Sequence, residues 1–127
     1  MGRLRRHDDK AQRRADWPTW VYLFKEGDGD SGFLKIGFAD DMQQRAREIQ
    51  TGNPRQIELG FALRVRRRHM AKNLEAAFLK RAARQIIIGE WIAMPLPEAT
   101  SLLVGLANEC KIDVLGYAPG SADIEPD

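Results

Sequence analysis

Apolar and polar positions alternate with different periods along the chain, and the periods predict its elements. Trp20-Val21-Tyr22-Leu23-Phe24 is an aromatic and branched run that fits a buried strand. Phe33-Leu34-Lys35-Ile36-Gly37-Phe38 has the same character, and the turn-forming segment between them, Glu26 to Gly32, predicts a hairpin. Asp40 and Asp41 both qualify as N-caps, each with a glutamine three residues on (Gln43, Gln44). The helix they open places Met42, Ala46 and Ile49 on one face, and Gly52 with Pro54 stops it. Ile57, Leu59, Phe61, Leu63 and Val65 alternate with other residues and predict a half-buried strand. A second helix is expected from about His69 to Gln85, and a strand over Ile86–Ile92. Pro97 suits the first turn of a last helix whose stripe of Ala99, Leu102, Leu103, Leu106, Ala107 and Cys110 is expected in the core.

The order β-β-α-β-α-β-α, opening with a hairpin, argues for an α+β domain built on a small antiparallel sheet flanked by helices. It does not fit a doubly wound parallel sheet. Residues 1–16 are polar, charged and aperiodic, and are expected to form a mobile basic arm. Residues 17–115 then make a single domain, and 116–127, rich in Gly, Pro, Ser and acids, a flexible acidic tail.

Composition narrows the function classes. With 127 residues, 43% of them hydrophobic and 30% charged, the chain suffices for one compact domain with its own core. It has no run near the roughly 20 apolar residues a spanning helix needs, and no apolar segment behind its first charges. A cytoplasmic protein without membrane contact is expected. One cysteine and two histidines leave no thiolate zinc site and little histidine-based metal chemistry. The net charge of +2 is unevenly spread: residues 64–84 hold eight Lys/Arg against Glu75 alone. Such clustering points to a polyanion, with a solvated helix face as the plainer alternative.

On a wheel of the second helix, Glu75 falls inside the apolar arc formed by Leu74, Phe78, Ala71 and Ala82. A carboxylate there is costly unless a cation compensates it, either a divalent metal or an internal arginine. Arg45 falls at the edge of the first helix's apolar face, where a guanidinium either meets a phosphate or covers the core. Tyr22 and Lys35 lie on neighbouring hairpin strands and could face a shared site. Arg66-Arg67-Arg68 at a strand-to-helix junction suits backbone phosphates or plain solvent.

These residues together resemble the GIY-YIG nuclease superfamily, which carries one three-residue signature on each strand of a hairpin, then an arginine, then a metal-binding glutamate. Trp20-Val21-Tyr22 and Lys35-Ile36-Gly37 stand at the two signatures, Arg45 follows Gly37 by eight residues, and Glu75 lies on the helix after the third strand. Gln50-Thr51-Gly52-Asn53-Pro54, Leu74-Glu75 and Gly89-Glu90-Trp91 are similar to one branch, which includes phage proteins and relatives of a meiotically up-regulated yeast gene. The resemblance spans about residues 19–94. It departs from the superfamily at Lys35, in place of a tyrosine, and from the branch at Leu79, near a position often held by histidine.

The resemblance implies a GIY-YIG-like fold and a metal-dependent DNA endonuclease, with Tyr22, Lys35, Arg45 and Glu75 as its catalytic residues. Glu75 would hold one divalent cation, Mg²⁺ or Mn²⁺; Arg45 would stabilise charge on the phosphate; Tyr22 would orient or deprotonate water; Lys35 would act as base or phosphate ligand. Arg64, Arg66, Arg67, Arg68 and Lys72, with the N-terminal arm, would grip the DNA backbone, RNA being left open. So short a domain is expected to take its targeting from a protein partner. The alternative is a nucleic-acid-binding module on the same scaffold with catalysis weakened or lost.

Overall fold

The computed structural model describes residues 17–27 and 32–119. The expected basic arm, the tip of the first hairpin and the end of the acidic tail lie outside the described residues. Strands β1 (Thr19–Glu26) and β2 (Phe33–Ala39) form the hairpin, followed by helix α1 (Met42–Thr51) and strand β3 (Ile57–Val65). Helix α2 (Arg68–Arg81) and a short 3₁₀ turn (Ala83–Gln85) lead to β4 (Ile86–Ile88) and β5 (Trp91–Ala93). Helix α3 (Leu96–Glu109) and β6 (Val114–Pro119) complete the domain. The fold is α+β, with one antiparallel sheet in the order β4-β5-β2-β1-β3-β6.

The pleat explains the layering. Val21, Leu23, Leu34 and Ile36 point to one face, where Ala71, Leu74 and Phe78 of α2 and Ala99, Leu103 and Leu106 of α3 cover them. Tyr22 and Phe24 point to the other face and pack with Met42, Ala46 and Ile49 of α1. The two aspartates before α1 divide their work. Asp41 is the N-cap, accepting from the Gln44 backbone N–H at 3.0 Å. Asp40 turns back to Thr19 Oγ1 at 3.0 Å and to Arg68.

Four expectations are corrected. The alternating run Ile57–Val65 does not face one side: a bulge skips Gly60 opposite Leu23/Phe24, so Leu59 joins the α1 face while Phe61, Leu63 and Val65 join the other. The stretch 86–92 is not one strand. Ile88 pairs with Trp91, and Gly89, at φ +55°, with Glu90 forms a two-residue turn between β4 and β5. The ordered chain continues past residue 115, because Val114–Pro119 pairs with β3 as the edge strand β6. Cys110 is exposed rather than in the core: α3 ends at Glu109, and Cys110 is its C-cap.

The cap gives the fold a quantitative check. Asp41→Ala should lower stability by about 1 kcal/mol in urea unfolding with the slope unchanged, as expected for one lost N-cap bond; a loss near zero would mean that the Asp41 bond does not hold α1.

Candidate active-site cleft

β5 pairs with β2 only at Phe33–Lys35. Beyond that point the edge of β2 is open, apart from one bond from the Ile36 N–H to the Glu90 carbonyl, 3.2 Å. Gly37, Phe38 and Ala39 therefore line a cleft of about 480 Å³ instead of meeting another strand. Arg45 and Glu48 enter it from α1, Glu75 and Arg68 from α2, and Glu90 from the β4–β5 turn. Groups from both faces of the sheet thus meet around one unfinished edge.

Tyr22 sits directly across from Gly37 in the β1–β2 ladder, and both are buried. A Cβ at residue 37 would lie 2.2 Å from the Tyr22 hydroxyl oxygen, so only glycine lets the phenol ring lie over β2. From there the hydroxyl accepts a hydrogen bond from Arg45 Nε at 3.0 Å, while Arg45 Nη1 pairs with Glu48 at 3.2 Å. Burial pushes the Tyr22 phenol above its ordinary pKa, against the opposing pull of Arg45, so it stays neutral at physiological pH. The bond to Tyr22 in turn pushes the Arg45 guanidinium further up.

The opposite wall is acidic. Burial, then the negative charge of Glu90 and a hydrogen bond with it, push the Glu75 carboxyl up to about 7, although Lys35 and Arg45 pull it down. Glu90 also receives Lys35 Nζ at 3.1 Å, and the ammonium lies 5.6 Å from the Trp91 ring centroid. Glu90 is the member of the site that sequence reasoning left out of its candidates. The signal was present in Gly89-Glu90-Trp91, but a residue in a strand would not reach the cleft, and the turn was not foreseen.

Tyr22, Arg45 and Glu75 are thus brought together, with Lys35 joined to them through Glu90. Of the five basic residues assigned to the backbone, Arg68 lines the cleft, paired with Asp40 at 3.2 Å and lying 5.1 Å from the Phe38 ring. Arg64 lies 5.8 Å from the Trp20 ring, Arg66 pairs with Asp113, Arg67 holds the N-cap position of α2, and Lys72 is exposed on its first turns. Leu79 packs against the core rather than lining the cleft.

An α+β domain with guanidinium groups facing a carboxyl pair across an open strand edge is a scaffold suited to a phosphate ester and a cation. The chain belongs to the T5orf172 domain family, whose model matches residues 19–105, about two-thirds of its length. This is a GIY-YIG-like domain associated with phage endonucleases. No curated protein and no solved structure matches the chain significantly. Among the described residues, no helix is long and apolar enough to cross a membrane.

Two outcomes are expected of this geometry. Gly37→Ala should displace the Tyr22 ring, break its bond to Arg45 and lower the melting temperature; a crystal structure of the variant with Tyr22 unmoved would refute the packing. Glu75 binds its proton more tightly folded, at about 7, than at its ordinary value of 4.5. Between those values the folded state holds more protons, so stability should fall as pH rises from 5 toward 8 without metal. The Glu75→Gln variant should lack that part of the fall, and curves that superimpose would show that Glu75 is not strained in this way.

Proposed function

We propose that the chain is a metal-dependent endonuclease of GIY-YIG type that hydrolyses phosphodiester bonds in DNA. The observation that carries this reading is the half-buried Glu75–Glu90 carboxyl pair facing Arg45 across one cleft, with Arg45 held from behind by the buried Tyr22. Two carboxyls held this close, with Glu75 pushed up to about 7, are a fitting donor set for a hard divalent cation, with water completing its shell. Among the described residues no cluster of three or more His, Cys, Asp or Glu side chains gathers, and Glu75, with Glu90 beside it, is the half-buried carboxyl pair that the cleft offers a cation. When bound, Mg²⁺ or Mn²⁺ would polarise a phosphoryl oxygen and steady the leaving oxygen.

The chain's own groups do the rest. Arg45, fixed at Nε by Tyr22 and at Nη1 by Glu48, presents a fixed cation to the charge that develops on the phosphate. Tyr22 keeps its proton and is buried behind the cleft lining, so in place of the water-orienting or basic role that the resemblance implies it holds Arg45 in position. Lys35, ion-paired with Glu90, serves as a phosphate cation and not as a base. Arg68, held by Asp40 at the mouth of the cleft, and the neighbouring Arg64, Arg66, Arg67 and Lys72 meet the backbone on either side. A non-hydrolysing DNA-binding module is the second reading, favoured by one observation: Leu79 packs on the core and offers no proton-transfer group four residues after Glu75.

Supercoiled plasmid and a gapped duplex, each with Mg²⁺ or Mn²⁺ against EDTA, separate the two. Metal-dependent nicking is expected, reduced roughly 10²–10³-fold in folded Glu75→Gln and Arg45→Ala. Plasmid and gapped duplex both bound but uncut by the wild type would assign the binding module. In either case Arg68→Ala should weaken binding and reduce the slope of log affinity against log salt by about 1, the share of one phosphate contact.

A further inference from the structure

Half of the exposed large apolar side chains among the described residues crowd one place. Phe33 is 44% exposed, Ile87 52% and Ile88 71%, where Trp17, Leu115 and Tyr117 lie elsewhere. With Trp91, Asn53 and Pro54 the first three line a second concavity of about 330 Å³, between the β4–β5 hairpin and the loop after α1. Its outer wall is built to stay in place. The Gln50 side chain donates to the carbonyls of Asn53, 3.3 Å, and Arg55, 2.9 Å, and accepts from the Ile57 N–H at 2.8 Å. Asn53 Oδ1 accepts from the Arg55 N–H at 3.0 Å. The Gln50–Pro54 motif, to which the catalytic reading gives no role, is thereby a pinned rim for an apolar shelf.

The shelf is continuous with the cleft. Phe33, Lys35 and Gly37 alternate along β2 and share a face, about 7 Å apart at each step. Lys35 bridges them, with Glu90 of the cleft on one side and the Trp91 ring of the shelf on the other. Among the described residues the charged lining of the shelf is Arg55 and Glu26, paired at 3.3 Å, which leaves it without net charge. A phosphate therefore suits the cleft and the lysine, whereas the shelf suits a flat, uncharged aromatic face.

We propose that this shelf stacks an unpaired nucleobase of the strand whose phosphate occupies the cleft, so that the substrate is DNA with a single-stranded segment beside the cut. A base still paired in a duplex cannot present its face to Phe33 and Trp91 without being unstacked first. The proposal rests on the nuclease reading only for where the phosphate lies.

The test is direct binding in EDTA, where no cleavage occurs. A short abasic oligonucleotide is compared with the same backbone carrying one central 2-aminopurine. The single base should raise affinity roughly tenfold, within the range for one stacked base, and its fluorescence should be quenched on binding. Phe33→Ser and Ile88→Ser, at exposed positions that do not support the core, should abolish both effects, while Glu75→Gln keeps them. Equal affinity of the two oligonucleotides, or quenching that survives in the shelf variants, overturns the proposal. So does dimerisation of the wild type that is lost in Ile88→Ser without any base effect, which would assign the shelf to a second copy of the chain. A base effect without metal-dependent cutting of either plasmid or a gapped duplex sinks the nuclease reading and leaves the shelf; cutting without a base effect sinks the shelf alone.

Discussion

The contact on which the geometry of this cleft depends is the phenol ring of Tyr22 lying across Gly37. Two strands pair at that point with both residues buried, and there is no room for even a methyl group on β2. The ring can therefore cross its neighbour and reach Arg45 on the helix that follows. That single bond ties β1, β2 and α1 together at the cleft, and it fixes a guanidinium that would otherwise sweep through solvent. Burial of the phenol is also what keeps it neutral beside a permanent cation.

Incomplete pairing of β2 does the complementary work. A full-length partner strand would have covered Gly37–Ala39 and separated the two faces of the sheet. Because β5 is short and its hairpin turns at Gly89–Glu90, the edge stays open. A carboxylate on α2, from one layer, can then approach an arginine on α1, from the other. The same short hairpin carries Glu90 beside Glu75 and leaves Ile87 and Ile88 exposed. The acidic wall and the apolar shelf are two consequences of one truncated strand pair.

Much of this was legible beforehand. The hairpin, both early helices, the boundary position of Arg45 and the misplaced charge of Glu75 follow from local periodicity, because one buried face per element imposes its spacing directly. What stayed hidden was decided between elements. The β3 bulge at Gly60 breaks an alternation that looks continuous in the chain, since an extra residue is recognisable only against its partner strand. Cys110 continues the stripe of α3 on paper, yet the helix has already ended. β6 is short and flanked by turn formers, so only the unfilled edge of β3 reveals it.

The sequence by itself determined an α+β domain with an N-terminal hairpin and set Arg45 and Glu75 apart on their helix faces, whereas Tyr22 and Lys35, taken singly, read as packing or surface. Each of those inferences needs only the period of one element and the cost of burying a charge. Tertiary structure decided the company these residues keep: Glu90 beside Glu75, Lys35 drawn to Glu90, Arg68 held by Asp40, and an apolar shelf next to the cleft. The reason is physical. A pKa, an ion pair or an open edge depends on distances between segments far apart in the chain, and no local period encodes a distance of that kind.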